Sequence, residues 1–442
     1  LLARIAGRPC QGCALPENAL PEVALPDHAL PAPRPDTTQI LQEKPMRTTR
    51  RQFQLTAAAS LPVLLGLSAC GGGTPETAGA DVADTSADDI AAELDALSHE
   101  ELVARATEEG SVTVYSFTSR IAQVEEEFEK AYPGIDLIGH DISATEQITR
   151  LAAEAEAGSP SADVASISDA PVVLTELIET GVLTGYVPPW VAELVPAELQ
   201  EPLLANRLST KILMYNEEAH PDGSPITNLW QLTEPEWNGR VVAVDPSVRG
   251  DYLDLMTEIV RQSEAMAAAH EEHFGTPVEL DEGVEDAGRQ FLKDLYANGL
   301  VLVDDTDNVN AAIGATGQDA PPVGFTSYSD RRDNEEEGWA LQASLGTVPA
   351  VGITFPAYLG LVAGAAHPAA ARLVIDFLMG DDSPTGGPAY EPFYVAGDYP
   401  VRTDMATPPD AAPLEDLGAW SIDPVATAEI RGEVADFLLT LG

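Results

Sequence analysis

Cysteine and lysine are scarce in this chain. Three cysteines occur in 442 residues, at positions 10, 13 and 70, and four lysines, at 44, 130, 211 and 293. Past residue 70 there is no cysteine at all, so that part has no disulfide, no thiol nucleophile and no thiolate metal site. The shortage of bases is general. The first 70 residues carry 5 acids and 7 bases, which leaves 67 acids and 16 bases for the rest. Such a surface repels phosphate backbones and excludes nucleic acid as a partner. The apolar stretch from Leu55 to Ala69, about 15 residues, falls short of the roughly 20 a membrane helix needs. A P-loop, a GxSxG elbow and an HExxH pair are absent too, and no enzyme activity is expected.

What is present begins with an export-like segment. Arg47, Arg50 and Arg51 precede an apolar stretch from Leu55 to Ala69, which ends in Leu67-Ser68-Ala69-Cys70. The basic head resembles a twin-arginine export motif at Arg50 and Arg51. The ending resembles a lipobox that would lipidate Cys70. On this reading Met46 is the start. Residues 1–45, with their proline-rich ALPxx repeat, form an untranslated or disordered upstream extension. Cys10 and Cys13 have redox or metal spacing but fall in that extension. Residues 46–70 are then the signal peptide and 71–88 an acidic small-residue tether.

The remaining sequence alternates strand and helix patterns. VTVYS (112–116), IDLIG (135–139) and ADVASIS (162–168) read as strands, each followed by an amphipathic helix. Ser98 and Glu101 have capping-box spacing, and Gly110 is placed to end that helix. KILMYN, RVVAVD, LVLVDD, PPVGF and the apolar stretch after Thr347 supply further strands, and the chain closes on a helix. Repeated strand–helix units predict mostly parallel α/β sheets covered on both faces. The acids are interleaved with apolar residues at regular periods, which fits solvated faces of a folded protein in a saline habitat.

The order of segments from about residue 98 to 442 resembles the solute-binding proteins of ABC importers, in the group that includes ferric-iron binders. The resemblance rests on VTVYSFTSR, SADVASISDAPVVLTELIETGVL, KILMYNEEA, LTEPEWNGRVVAVDPS, AYLGLVAGAAHPAAARLVIDFLMG and GDYPVR, in that order. It implies a type 2 periplasmic-binding-protein fold of two α/β lobes joined by hinge strands. Lobe one is expected at 89–212 plus 345–385, and lobe two at 213–344 plus 386–442. It further implies a monomer on the outer face of the cytoplasmic membrane, tethered by lipid on Cys70. The protein would deliver a small-molecule or metal-ion solute to an ABC permease. No cofactor is expected.

Loops that follow strands are where such a sheet places ligands. Ser116, Thr118 and Ser119 follow the first strand and precede a helix, so they can hold an anion or simply cap the helix. Asp169 follows the third strand and serves as a ligand or a cap. Ser247, Arg249, Gly250 and Asp251 lie between a strand and a helix. Arg249 there offers a fork for phosphate or carboxylate, or pairs with Asp251. Ser327 and Tyr328 occupy the place where ferric binders of the resembling group usually show adjacent tyrosines. With one tyrosine only, and Ser119 where some have histidine, a small anion or phosphorylated organic compound is expected. Ferric iron held by Tyr328 and Asp169 is the alternative. Asn308 and Asn310 are rim candidates, and an enzyme on the same fold and a sensor-kinase receptor subunit are the further alternatives.

Overall fold

The computed structural model describes residues 87–442. The upstream extension, Arg50, Arg51, Cys70 and the tether up to residue 86 lie outside the described residues. Among the described residues no helix is long and apolar enough to cross a membrane.

Strands form where the apolar runs are richest in β-branched residues. They are β1 (Ser111–Ser116), β2 (Asp136–Asp141), β3 (Val164–Ile167), β4 (Leu183–Thr184), β5 (Leu204–Asn216), β6 (Val241–Val244), β7 (Val301–Val303), β8 (Val323–Thr326), β9 (Leu341–Ala343), β10 (Gly352–Val362), β11 (Tyr399–Pro400) and β12 (Trp420–Ser421). The main path of hydrogen-bonded neighbours runs β2-β1-β3-β10-β5-β8-β6-β7. Pairing is parallel for β1 with β2 and β3, and for β6 with β7 and β8. The long strands β10 and β5 lie antiparallel to each other in the middle of that path.

Helices stop and start as their local chemistry dictates. Ser98 and Glu101 close a complete capping box on helix His99–Glu109, which ends at Gly110 in the left-handed region. Two stretches differ from expectation. The segment after Thr227, where a helix preceding the RVVAVD strand is expected, is a pair of 3-10 turns, Leu229–Thr233 and Pro235–Trp237, because Pro235 cannot donate the amide an α-helix would need. A helix not expected from the sequence spans Thr306–Gly314, capped by Asp305, which accepts from the Asn308 amide at 2.8 Å.

Buried apolar side chains divide into two cores. One holds Val114, Leu137, Val164, Leu204, Leu359 and Leu373; the other holds Leu213, Trp230, Val242, Leu255, Phe291 and Phe325. Each core, with its half of the sheet and its helices, is a lobe. Strand β5 gives Leu204 and Ala205 to the first and Ile212–Tyr215 to the second, and β10 is divided likewise. The expected boundaries therefore need correction. Ile353 and Phe355 belong to the second core, while Tyr390, Phe393 and Val401 belong to the first. The physical reason is that β11 pairs with β5 at Leu208 and Arg207, and the Tyr390 hydroxyl donates to the Asn206 carbonyl at 3.0 Å. Those bonds hold residues 390–401 against the first lobe.

Candidate functional site

Midway along β5, where it passes from one core to the other, the strand changes character. Asn206, Arg207, Ser209, Thr210 and Lys211 are all buried. A central strand is normally apolar throughout, and an unpaired buried charge is costly, so these cations need partners.

The partners are few. Arg120, at the start of the first-lobe helix Ile121–Ala131, pairs with Asp398, and Arg207 lies 3.5 Å from the same carboxylate. Ser209 Oγ donates to Asp398 at 2.8 Å. Arg207 also stacks over Phe393 at 4.3 Å and Phe117 at 5.2 Å. Lys211 Nζ lies 3.0 Å from Asp251 Oδ2, donates to Ser327 Oγ at 2.9 Å and sits over the Tyr252 ring. Arg249 reaches the same Asp251 oxygen at 3.2 Å. Each cluster thus has two cations for one carboxylate. Burial alone would raise the Asp251 carboxyl, yet Arg249 and Lys211 hold it well below the usual carboxylate range. Burial pulls Lys211 down, with Asp251 opposing. The Nε donors of Arg120 and Arg207 are buried without a hydrogen-bond partner.

Both clusters line one cavity of about 250 Å³ between the lobes. Arg120 of the first lobe spans it by donating to Ser329 Oγ of the second at 2.9 Å. Hydroxyls of Thr118, Ser119, Thr306 and Ser327 face the same space, as do Phe117 and Phe355. At its exposed end stand Asp141, Asp305, Asp307, Asp330 and Arg332.

A second ionic cluster joins the lobes away from this cavity, and it has the opposite balance. Arg431, from the C-terminal helix Pro424–Leu439, donates to Asp169 Oδ1 at 2.8 Å and to Asp254 Oδ1 at 2.7 Å. Both carboxylates are buried. Burial raises the Asp169 carboxyl to about 6; Arg431 pulls it down and Asp251 adds to the rise. Burial and the neighbouring Asp169 push Asp254 well above its ordinary value. Asp169 has φ 69°, unusual for a residue with a side chain. Gly250 packs against it so closely that a Cβ there would lie 1.8 Å from Asp169 Oδ2.

Of the residues expected from the sequence, Thr118, Ser119, Arg249, Asp251 and Ser327 line the cavity. The others stand elsewhere. Ser116 is buried, its hydroxyl donating to the Thr118 carbonyl at 3.1 Å. Asp169 and Gly250 belong to the Arg431 cluster. Ser247 lines a separate cavity beside the C-terminal helix. Tyr328 follows Ser327 in sequence but faces the other way: its hydroxyl donates to the Asp410 carbonyl at 3.3 Å, and it lines a cavity with Tyr215 and Arg331. Asn310 supports the rim from behind, donating to Asp330 Oδ2 at 2.9 Å, while Asn308 is exposed and donates to Asp305. Sequence reasoning missed Arg120, Arg207, Ser209, Lys211 and Asp398. A signal existed for two of them: Arg207 and Lys211 are two of the scarce cations, set in the otherwise strand-like run LLANRLSTKILMYN. Among the described residues no group of three or more His, Cys, Asp or Glu side chains is placed to hold a metal ion.

Comparison with known proteins places this geometry. The family model described as "Bacterial extracellular solute-binding protein" matches residues 114–383. No curated protein sequence matches the chain. Among solved structures, iron-bound HitA from Pseudomonas aeruginosa is similar with a TM-score of 0.59 at 17% identity, covering 75% of this chain and 99% of its own. AfuA from Actinobacillus pleuropneumoniae, with exogenous fructose-6-phosphate bound, is similar with a TM-score of 0.56 at 18% identity, covering 75% and 98%. Apo ferric ion-binding protein A from Pasteurella haemolytica gives 0.56 at 16% identity, covering 75% and 98%. These likenesses establish the two-lobed type 2 periplasmic-binding-protein fold.

Proposed function

The chain belongs to the family of bacterial extracellular solute-binding proteins, which deliver solutes to ABC permeases, and we propose that its solute is a small anion or phosphorylated organic compound held in the interlobe cavity. The observation that carries this reading is the charge balance at the cavity floor. Four buried or half-buried cations, Arg120, Arg207, Lys211 and Arg249, share two carboxylates, Asp398 and Asp251. Past residue 70, where acids outnumber bases by 67 to 16, five of the 16 bases line this one cavity, four at its floor and Arg332 at its mouth. An anion arriving there completes their pairing.

The cavity also suits capture by closure. It is built from both lobes, so a solute that touches both favours the closed arrangement, and the shared strands β5 and β10 supply the hinge. Binding is the whole task of such a protein, and no reaction is proposed for it. The lipobox-like segment supports anchoring through Cys70 at the outer face of the cytoplasmic membrane.

Ferric iron is the weaker reading. It asked for Tyr328 as a phenolate ligand and Asp169 as a carboxylate ligand. The Tyr328 hydroxyl is engaged by Asp410, and Asp169 by Arg431. Among cavity-lining residues the oxygen donors are hydroxyls and carboxylates, and the cations at the floor repel a trivalent ion.

Calorimetric titration of the purified protein in high salt with inorganic phosphate, sulfate, citrate and a hexose phosphate tests the proposal. Saturable heat with at least one anion, weakened in Lys211→Met, is expected. Absence of binding to every anion, with a saturable tyrosinate-to-iron absorbance on ferric addition, would overturn it.

A further inference from the structure

The cavity is not uniform from floor to mouth. Its buried lining is cationic with Phe355 among it, Phe117 lies half-buried against Arg207, and its exposed lining carries carboxylates and Arg332. Two of those carboxylates stand apart. Asp305 is occupied as a helix cap, and Asp330 accepts from Asn310 and Arg332. Asp141 and Asp307 have no hydrogen-bond or ion-pair partner among the described residues. Asp141 ends β2 of the first lobe, and Asp307 lies in the first turn of helix Thr306–Gly314 of the second. They therefore come from opposite lobes onto one cavity.

That arrangement has a physical cost. Closing the lobes brings like charges towards each other, and Arg249, with Arg332 on the Asp307 side, offsets that repulsion only in part. Burial pushes the Asp141 carboxyl upward; Arg249 opposes, and the charge on Asp307 adds to the rise. The same mouth would be attractive to N–H or O–H donors, each of which could bridge the two carboxylates. An inorganic anion satisfies the floor and leaves the mouth unrelieved.

We infer that the solute is bipolar: an anionic head on Arg120, Arg207, Lys211 and Arg249, a short carbon skeleton beside Phe117 and Phe355, and a tail of hydroxyl or ammonium donors bridging Asp141 and Asp307. This rests on the anion reading above and deepens it. Asp141 and Asp307 are then specificity-determining residues, and they select against anions that lack a donor tail. The cation surplus at the floor marks the head position independently of the acidic mouth.

The test compares inorganic phosphate, propyl phosphate, phosphoethanolamine and a sugar-alcohol phosphate on the parent protein and on Asp141→Ala/Asp307→Ala. Both positions are exposed, so the double variant should keep the parent's melting temperature. The expected result is that a donor-tailed phosphate binds the parent at least about tenfold more tightly than propyl phosphate, a difference of about 1.4 kcal/mol. The double variant should erase that preference, and, with two negative charges gone, bind propyl phosphate at least as tightly as the parent does. A gain with phosphoethanolamine alone identifies the tail as ammonium, and with the sugar-alcohol phosphate alone as hydroxyl; either supports the inference. Equal binding of donor-tailed and propyl phosphates by the parent would overturn it and leave the anion reading intact, as would a preference that survives in the double variant. Failure of every phosphate to bind would overturn this inference, and failure of sulfate and citrate as well would overturn the anion reading.

Discussion

Two ionic clusters connect the lobes, and they differ in stoichiometry more than in composition. At the cavity floor two cations share each carboxylate. Behind it, Arg431 alone serves Asp169 and Asp254. A surplus of arginines in a low-dielectric space, as at Arg120 and Arg207, is a demand for an anion from outside, because arginine does not release its proton at ordinary pH. An acid surplus can be settled from within, because a carboxylate can take up a proton. The upward shift of Asp169 and Asp254 is that settlement. Similar residues thus make a receptor in one place and a closed structural joint in the other, and the ratio decides which.

The strongest way to break the contrast is to remove Arg431. Arg431→Met leaves two buried carboxylates with no counter-charge and should cost about 3–5 kcal/mol near neutral pH, read by denaturant unfolding. The loss should shrink on acidification as both carboxyls protonate. Lys211→Met should behave differently. Asp251 keeps Arg249, so stability should fall less than in Arg431→Met, while anion affinity drops about tenfold or more, since a charge-assisted hydrogen bond is worth roughly 1.5–3 kcal/mol. Gly250→Ala probes the joint sterically. Its Cβ must displace the Asp169 carboxylate, at an expected cost of about 1–3 kcal/mol. A melting temperature within error of the parent would show that the joint yields freely.

The smallest effect sharpens the comparison by pH. Asp169 is raised to about 6 by burial, so the folded protein holds that proton more tightly than the unfolded chain does. Its stabilising contribution is complete below the ordinary aspartate value of about 4 and is lost as pH rises through about 6. Asp169→Asn keeps the neutral form at every pH. Relative to the parent it should therefore gain stability across that window, and parallel profiles would contradict the assignment.

Local chemistry was legible in the sequence, and convergence over distance was not. The capping box at Ser98, the glycine stops at Gly110 and Gly158 and the strand–helix alternation depend on neighbours a few residues apart. So do Thr118, Ser119, Arg249, Asp251 and Ser327, which reach the cavity because they follow strands. Arg120 and Asp398 are 278 residues apart, and no local pattern announces their pairing. Lys211 and Arg207 sit inside a strand, where loop-based reasoning does not look. Tyr328 was misdirected by one position: Ser327 takes the cavity side, and the next side chain leaves on the other face. Asp169 follows a strand as ligand-bearing residues do, yet its left-handed backbone goes with a side chain directed to Arg431.

The division of β5 and β10 between two cores also governs how the protein comes into being. Strand β3 finds its neighbour β10 through pairs such as Ser166 with Leu359, and β10 lies beside both β3 and β5. The first lobe consequently cannot complete its sheet when its own first hundred residues emerge from the ribosome. It must wait until the whole second-lobe segment has been made, and that segment waits in turn for the return of the same strand. Contacts of such long sequence separation slow folding. This chain is expected to remain unfinished for most of its synthesis and then to acquire both lobes together.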